Sequence, residues 1–389
     1  MCDDVRAMTE QPAPRADLRI DVGALRQNVA LLSERARSSG ARTMVVVKSD
    51  GYGHGAATVA RAALEAGATE LGVAAIEEAL QLRAAGITAP LLCWLYPPGD
   101  DFAAAIAADV QLSASNTAEL AEIAAAARGQ GARARVHLKI DTGLNRNGCP
   151  PDLWPELVQR AAAEQAAGTV QVVAVWSHLA CADELGHPSI DAQAERFHRA
   201  YEQARAAGLR PIRHLANSAA TLTRPDLHFE LVRPGIAVYG LDPVPQHGEH
   251  GLIPAMTFRS TVVQAKRVAA GESVSYGHLW TAQRECTLAL VPVGYADGVP
   301  RSLSGRMQVW LAGERRPVVG RVCMDQLVVD CGDDPVEPGA EVVLFGPGDR
   351  GEPTAAEWAD ELGTIHYEVV TGMYRPRVTR TVVGAEVPT

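Results

Sequence analysis

The sequence predicts a parallel (β/α)8 barrel of the TIM type, followed by a mainly β C-terminal domain. Eight short apolar runs alternate with stretches rich in Ala, Glu and Arg between residues 44 and 232. Several of these helical stretches end at a glycine, such as Gly67, Gly86 or Gly208, which is a common helix stop. After about residue 252 the helical stretches disappear, and short apolar runs are separated by Gly, Pro and Asp.

Strands buried on both faces read as short, almost continuous apolar runs. In chain order the predicted barrel strands are Met44–Val47, Leu71–Ala75, Leu91–Leu95, Val110–Leu112, Val136–Ile140, Val172–Trp176, Ile212–Leu215 and Phe229–Val232. We prefer the last run over the competing Ile236–Tyr239, because it leaves Arg233 at the carboxyl end of a strand. The helical stretches between the strands include Thr58–Ala66, Glu77–Ala85, Thr117–Ala127, Leu153–Ala167 and Ala192–Ala207.

The length of 389 residues exceeds that of one ordinary small domain and suggests two. We expect a disordered or extended segment over residues 1–16, the barrel over 17–250 and the mainly β domain over 251–389. The prolines and glycines of residues 242–251 mark the linker. The predicted strands of the second domain are Val262–Val263, Leu288–Val293, Val309–Leu311, Val318–Val319, Leu327–Val329 and Val342–Phe345.

Composition excludes several classes of protein. The formal net charge of −10 argues against a nucleic-acid binder, which would present a basic face. None of the seven cysteines has C-x-x-C spacing, so we expect no metal site and no disulfide framework. The polar, acidic first residues do not resemble a secretory signal, and no apolar run is long enough to span a membrane. The sequence thus predicts a cytoplasmic enzyme or binding protein in a reducing compartment.

Polar residues follow the predicted strands at the edge where a (β/α)8 barrel places its chemistry. They are Lys48 after the first strand, Arg146 after the fifth, His178 after the sixth, Asn217 and Ser218 after the seventh, and Arg233 after the eighth. Each has an ordinary explanation by itself: a solvated lysine, a structural histidine, a helix cap or an arginine paired with a carboxylate. Together they indicate an active site at the mouth of the barrel.

The loops after the seventh and eighth strands are the usual phosphate site of this fold. They offer the hydroxyl of Ser218 and the backbone N–H groups of Gly235 and Ile236, where a short helix over 236–240 would point its N-terminus at an anion. A phosphate at one side of the mouth and Lys48 at the other describe a phosphorylated aldehyde cofactor, to which Lys48 would bind covalently.

The segment that contains Lys48, VKSDGYGHG, resembles the pyridoxal-phosphate signature of alanine racemases. Asp50 and Gly51 depart from the usual Asn and Ala of that signature, and neither should move the roles of Lys48 or Tyr52. Similar segments cover nearly the whole chain: HLKIDTGLNRNG, WSHLACAD, HLANSAATL, LVRPGIAVYG, PAMTFRSTVVQAKRV, VSYGHLW, VGYADGVPR, GRVCMDQ and TIHYE.

The resemblance implies a pyridoxal 5'-phosphate enzyme that interconverts L-alanine and D-alanine and supplies D-alanine for peptidoglycan. Lys48 and Tyr276 would be the bases on opposite faces of the substrate Cα, with Tyr276 supplied by the partner subunit of a homodimer. The implied cofactor ligands are Lys48, Tyr52, Arg146, His178, Asn217, Ser218, Arg233, Gly235 and Ile236, with Tyr374 in a segment shorter than in several relatives. The implied substrate contacts are Arg146, Met324 and Tyr276.

Four of the implied residues concern charge at the site. Arg233 would face the pyridine nitrogen, and a cation there leaves that nitrogen unprotonated and the ring a weaker electron sink. Lys139 would be carbamylated and orient Arg146. Both Lys48 and Tyr276 need a lowered pKa to act as bases near neutral pH, and we expect His178 and nearby arginines to supply positive charge to Tyr276.

Three alternatives remain. The first is a racemase of serine, lysine or a broader set of amino acids; the bulk of the residues at the mouth of the site favours a small substrate. These gate residues are Asp183, Tyr295, Arg301, Arg321, Met324 and Asp325. The second is a decarboxylase, which would need a catalytic cysteine motif that the sequence lacks. The third is a non-enzymatic pyridoxal-phosphate-binding protein, which the long second domain with Tyr276 disfavours.

Overall fold

The computed structural model describes residues 14–373 and 375–384. The chain divides into two compact units. The barrel unit comprises residues 21–254 together with 384, and the β unit comprises residues 14–20 and 255–383. The first strand, β1 (Ala16–Asp21), pairs with a strand of the β unit, whereas the sequence assigned residues 17–20 to the barrel.

The barrel unit contains eight parallel strands in the order β8-β7-β6-β5-β4-β3-β2-β9, which is the predicted fold. They are β2 (Arg42–Val46), β3 (Glu70–Val73), β4 (Leu91–Cys93), β5 (Gln111–Ala114), β6 (Ala134–Lys139), β7 (Val170–Trp176), β8 (Ile212–His214) and β9 (Leu231–Val232). Most residues of these strands are buried, as the predicted apolar runs require. The run at 236–239 is a 3-10 helix, so the choice of the last strand is confirmed.

Helices alternate with the strands of the barrel unit. They are α1 (Val22–Ser38), α2 (Lys48–Tyr52), α3 (Ala56–Glu65), α4 (Ile76–Ala84), α5 (Phe102–Ala107), α6 (Thr117–Gly129), α7 (Trp154–Ala166), α8 (Pro188–Ala206) and α9 (Ser218–Thr223). Within the described residues, no helix is both long and apolar enough to cross a bilayer.

The β unit is built on a nine-stranded sheet in the order β11-β14-β17-β16-β15-β18-β10-β1-β19. Its strands are β10 (Met256–Thr261), β11 (Gln264–Val268), β12 (Ser273–Val274), β13 (Trp280–Thr281), β14 (Cys286–Val291), β15 (Gln308–Leu311), β16 (Glu314–Val319), β17 (Leu327–Asp330), β18 (Glu341–Phe345) and β19 (Thr379–Val383). β12 and β13 form a separate two-stranded ribbon.

The expectation that helices disappear after residue 252 is wrong. The β unit contains α10 (Ala355–Leu362) and α11 (His366–Gly372). α10 begins at a capping box, in which the Thr354 hydroxyl accepts from the Glu357 N–H and the Glu357 carboxylate accepts from the Thr354 N–H.

Candidate active site

Lys48 lies two residues after β2, and the short element α2 that it begins is a left-handed turn rather than a regular helix. Ser49, Asp50 and Tyr52 have φ values of 54°, 51° and 51°, and Gly51 between them has 62°. A run of left-handed residues with side chains is rare, since Cβ then lies close to the following carbonyl oxygen. Backbone held in such a conformation is concentrated at functional sites, so the turn marks Lys48 as part of one.

Two carboxylates hold this turn in place. The Asp50 carboxylate accepts a hydrogen bond from the Ala56 N–H at 2.9 Å, at the start of α3. The Glu78 carboxylate on α4 accepts from the Ser49 N–H at 2.5 Å and from the Ala74 N–H at 2.9 Å. Asp50, one of the two departures from the family signature, therefore supports the turn rather than displacing Lys48.

The surroundings of Lys48 favour its neutral form. Burial lowers the pKa of the Lys48 ammonium, and the positive charge of Arg146 lowers it further, while Glu78 acts in the opposite direction. Arg146 is exposed on the loop that follows β6. A neutral amine is the form of lysine that can act as a nucleophile or accept a proton.

The predicted phosphate site is a cradle formed by Tyr52, Ser218 and the loop after β9. The Ser218 Oγ accepts hydrogen bonds from the N–H groups of Gly235 at 2.8 Å and Ala237 at 3.3 Å. A Cβ at Gly235 would overlap the Tyr52 hydroxyl, so the close approach of these residues requires glycine. The 3-10 helix Ile236–Tyr239 starts here, and the N–H of its second residue, Ala237, is the one that donates to Ser218.

Arg233 is a buried cation, only 5% exposed. Burial lowers the pKa of its guanidinium to about 9. In the part of the chain that the structure describes, its hydrogen-bond partners include no carboxylate, so the ordinary explanation of an ion pair fails. These partners are His214 Nδ1 at 3.1 Å, the Ser177 carbonyl at 2.8 Å, the Leu215 carbonyl at 3.3 Å and His178 Nδ1 at 3.4 Å.

The surroundings of His178 disfavour its charged form. Burial lowers its pKa well below the ordinary value, and the positive charges of Arg233 and Arg146 lower it further. This lowering opposes the expectation that His178 supplies positive charge to Tyr276, and that role stays a prediction.

Lys139 lies inside the barrel against an aromatic ring. Its Nζ is 4.2 Å from the centre of the Trp176 ring, and its side chain is 5% exposed. Burial, followed by the charges of Arg233 and Arg146, lowers the pKa of Lys139 to about 7. A substantial fraction of this amine is thus neutral at neutral pH.

Two other predicted residues of the barrel unit have local structural partners. The Asn217 side chain accepts from the Ala220 N–H at 3.1 Å and caps α9, which is its ordinary role. Asp183 is exposed, and its carbonyl oxygen accepts from Gln246 at 2.9 Å. These contacts do not test the implied role of Asn217 at the cofactor or of Asp183 at the gate, so both roles stay predictions.

Tyr276 occupies the turn between β12 and β13 of the β unit. Its side chain is 69% exposed, so it is not an ordinary core aromatic. Ser275 before it has φ 64° and ψ −177°, a conformation almost restricted to glycine. The Ser275 hydroxyl donates to the Arg321 carbonyl at 2.9 Å and holds this strained turn in place.

Backbone hydrogen bonds join the other predicted residues of the β unit. The Tyr295 N–H donates to the Cys323 carbonyl at 3.0 Å, and the Ala296 N–H donates to the Met324 carbonyl at 3.0 Å. Met324 is 53% exposed. The β unit thus brings the loops of Tyr276, Tyr295, Arg321 and Met324 next to one another through the segment 321–324.

An ion network fixes the same loops. The buried Asp297 carboxylate accepts from both Arg15 and the Gly294 N–H, and Arg377 Nε lies 3.6 Å from it. Arg377 also donates to Asp325 at 2.6 Å. The predicted gate residue Arg301 is exposed at the start of a 3-10 helix, and Tyr374 lies outside the described residues.

Sequence reasoning missed five residues that pack around the predicted ones. Glu78 holds the Lys48 turn, and the others lie on barrel strands: Gln111, His137, Trp176 and His214. For Gln111, His137 and His214 the only available signal was a polar side chain inside an apolar run. Only the register of the barrel strands shows that these three side chains are neighbours.

The chain matches two family profiles that together span most of its length. The profile "Alanine racemase, N-terminal domain" matches residues 20–243, and "Alanine racemase, C-terminal domain" matches residues 255–382. A protein of Mycobacterium avium (strain 104) named alanine racemase is 57% identical over 376 residues, which covers 95% of each chain.

Solved structures give the same result. The structure of alanine racemase from D-cycloserine-producing Streptomyces lavendulae superposes with a TM-score of 0.93 at 52% identity, covering 97% of this chain and 99% of that one. Alanine racemase from Bacillus anthracis with bound L-Ala-P gives a TM-score of 0.88 at 34% identity, covering 97% of both chains.

Proposed function

This chain belongs to the alanine racemase family, and we propose that it interconverts L-alanine and D-alanine with pyridoxal 5'-phosphate as cofactor. Lys48 and Tyr276 act as the two bases. The observation that carries the proposal is that one strained turn bears both Lys48, with its lowered pKa, and Tyr52, whose hydroxyl abuts Gly235.

The residues present fit this cofactor. Its phosphate suits the cradle, because the hydroxyls of Tyr52 and Ser218 and the N–H of Ile236 are donors of the kind that bind phosphate, and the Gly235 N–H orients Ser218 by donating to its Oγ. When bound, pyridoxal phosphate makes the Cα proton of an amino acid acidic by delocalising the electrons left behind. Lys48 would hold the cofactor covalently, and Arg146, His178 and Asn217 would contact its ring and phenolic oxygen.

Inversion at Cα needs a proton removed on one face and another returned on the opposite face. Lys48 would exchange the proton on one face, and its lowered pKa supports this role because a neutral amine is available as a base. Arg146 contributes to that shift and would also contact the substrate, together with the N–H of Met324.

Arg233 would face the pyridine nitrogen of the cofactor. A guanidinium has only donors, so a neighbouring pyridine nitrogen accepts a hydrogen bond and carries no proton of its own. The lack of any carboxylate among the described partners of Arg233 supports this assignment, since no anion competes for its free donors.

Tyr276 would serve the opposite face of Cα, from the partner subunit of a homodimer with shared active sites. Its 69% exposure in the ribbon turn and the strained Ser275 before it support a role outside its own sheet. Met324 would enter the site with it, as would the gate residues Tyr295, Arg301, Arg321 and Asp325, with Asp183 contributed by the barrel.

Lys139 would carry a carbamate that orients Arg146. Its neutral Nζ would add to the carbon of carbon dioxide and release one proton, which leaves an anion beside the cations of the site. The pKa of about 7 supports this step because the neutral amine is populated near neutral pH. Intact-protein mass spectrometry at neutral pH should show one added carbon dioxide that K139R lacks and that acid removes; an unmodified mass would refute the carbamate.

We place the enzyme in the cytoplasm, where it would supply D-alanine for peptidoglycan. All six cysteines that the structure describes are free, as in proteins of a reducing compartment. A strain that requires external D-alanine should grow without it when it expresses this chain, and failure of the expressed, active protein to rescue growth would contradict the role.

The activity is tested by measuring D-alanine formed from L-alanine by the purified dimer, with L-serine and L-lysine assayed in parallel. We expect alanine to react fastest, K48A to abolish turnover, and K266R, at an exposed lysine of β11, to leave it intact. Faster turnover of serine or lysine would identify the alternative racemase, and release of carbon dioxide would identify a decarboxylase. A bound cofactor without any turnover would identify a binding protein.

A further inference from the structure

A chain of hydrogen bonds crosses the interior of the barrel and ends on Arg233. Arg233 Nη1 lies 3.1 Å from His214 Nδ1, and His214 Nε2 lies 2.9 Å from His137 Nδ1. His137 Nε2 lies 2.5 Å from Gln111 Oε1. Gln111 is on β5, His137 on β6 and His214 on β8, and all four side chains are at most 5% exposed.

The direction of every hydrogen bond in this chain follows from Arg233. A guanidinium can only donate, so His214 Nδ1 must accept. A neutral imidazole has one donor and one acceptor, so the proton of His214 is on Nε2 and donates to His137 Nδ1. By the same rule His137 carries its proton on Nε2, and Gln111 must present its carbonyl oxygen rather than its amide nitrogen.

A second proton on either histidine would break the chain. An N–H on His214 Nδ1 would point at the N–H of Arg233, and an N–H on His137 Nδ1 would point at the N–H of His214. The charged groups that act on the two imidazoles are all cations, namely Arg233, Arg135, Arg42 and Lys139. Burial first, and then these cations, lower the pKa of His137 to about 3 and that of His214 well below its usual value.

We propose that Gln111 is a positioning residue for Arg233. By accepting the last hydrogen bond, it fixes both histidines as neutral Nε2–H tautomers and keeps a Nη1 donor of Arg233 directed at His214 rather than at the cofactor. The remaining guanidinium donors are then held in one orientation. Trp176 supports this orientation, because its ring stacks on His214 at 5.4 Å and lies 4.9 Å from the Arg233 guanidinium carbon. The inference rests on the proposed place of Arg233 at the cofactor ring.

The test reads the protons on the histidines directly. The holoenzyme is labelled with nitrogen-15 in its imidazole rings, and the signals of His137 and His214 are assigned with H137N and H214N. We expect both residues to show an unprotonated Nδ1 and a protonated Nε2, unchanged between about pH 6 and pH 9. A protonated Nδ1 at His214 in the wild-type holoenzyme would overturn the proposal.

Variants of Gln111 test the cause. Q111M removes the acceptor at nearly constant volume and leaves the buried His137 Nε2–H without its partner. We expect the His137 proton to move to Nδ1, where it opposes the N–H of His214 and displaces His214 from Arg233. The expected results are loss of the single tautomer at His214 and a shifted visible absorbance of the bound cofactor. Q111E retains an acceptor and should restore the wild-type tautomers at high pH. Q159M makes the same change at an exposed glutamine of α7 and should leave the spectra as in the wild type.

The outcomes separate this proposal from the proposed function. Wild-type tautomers at His214 in Q111M would overturn the role of Gln111, even in a fully active racemase. If Q111M does not fold, the spectra of the wild type and of Q111E still test the role of Gln111. Q111E should show the wild-type tautomers of both histidines at high pH, and their absence would contradict the proposal. The expected tautomers in a protein that does not racemise alanine would sustain the hydrogen-bond chain and refute only the function.

Discussion

The contact between Gly235 and Tyr52 predicts that a single added methyl group weakens cofactor binding. A Cβ at Gly235 would overlap the Tyr52 hydroxyl and lie 3.1 Å from the Tyr52 ring carbon that bears it. The backbone of Gly235, at φ −117° and ψ −91°, also lies outside the regions that residues with a side chain usually adopt, so backbone strain adds to the overlap in G235A. Either Tyr52 or the Gly235 loop must therefore move in this variant.

The magnitude follows from what this movement disrupts. The strain of an extra methyl group in a packed site, about 1–3 kcal/mol, is present with and without the cofactor, whereas losing one hydrogen bond to the charged phosphate weakens binding itself by about 1.5–3 kcal/mol. Because about 1.4 kcal/mol corresponds to a tenfold change in an equilibrium constant, the Kd for pyridoxal phosphate should rise roughly 10- to 100-fold in G235A. The measurement is a titration of the cofactor-free protein with pyridoxal phosphate, followed by absorbance.

Two further variants make this prediction specific. G129A adds the same methyl group at a position in α6 where a Cβ meets nothing, and it should bind cofactor as the wild type does. Y52F removes the Tyr52 hydroxyl, a proposed phosphate donor, and adding G235A to it should weaken cofactor binding less than G235A does in the wild type, because the overlapping hydroxyl is already gone. An unchanged Kd in G235A would refute the assignment of this cradle to the phosphate, and an equal loss in G129A would show a nonspecific effect.

Three other predictions concern catalysis and stability. Y276F should slow one direction of racemisation more than the other in isotope-exchange assays, because Tyr276 serves one face of Cα; equal loss in both directions would contradict face-specific roles. Since Arg146 lowers the pKa of Lys48, R146Q should raise it, and the activity that depends on neutral Lys48 should be lost at a higher pH as the solution is acidified; an unshifted acid limb in the pH–rate profile would oppose this. D297N should destabilise the protein by about 2 kcal/mol in urea unfolding, because it breaks the partly buried pair with Arg15. Burial raises the pKa of Asp297, but the hydrogen bonds from Arg15 and Gly294 outweigh it and leave a net lowering. The stability from this pair is therefore present above the ordinary carboxyl pKa and lost as the pH falls through the lowered one, so a D297N penalty that grows at acid pH would contradict the argument.

The barrel was predictable because its strands must be apolar on both faces, and each predicted run coincides with a strand to within a few residues. The helices α10 and α11 were missed because they are short and follow a segment of short apolar runs separated by Gly, Pro and Asp, which is typical of strands. The capping residues Thr354 and Glu357 were the available signal. The left-handed turn at Ser49–Tyr52 was not predictable, since its sequence contains one glycine for four left-handed residues.

Site residues were predictable where a polar side chain comes soon after the apolar run of a strand, as for Lys48, Ser218 and Arg233. The lowered pKa of His178 was not predictable from the sequence, because only the folded structure shows how deeply it is buried and how close Arg233 lies to it. Gln111, His137 and His214 could not be found from the sequence, because they lie on three different strands and only the register of the barrel aligns them.

The central claim is that Lys48 holds the cofactor covalently, and the chain makes this claim easy to test because it contains only three lysines: Lys48, Lys139 and Lys266. Borohydride reduction of the holoenzyme, followed by peptide mapping, reports which lysine bears the cofactor. We predict that the reduced pyridoxyl group is found on Lys48 alone. Its recovery on Lys139 or Lys266 would contradict the account.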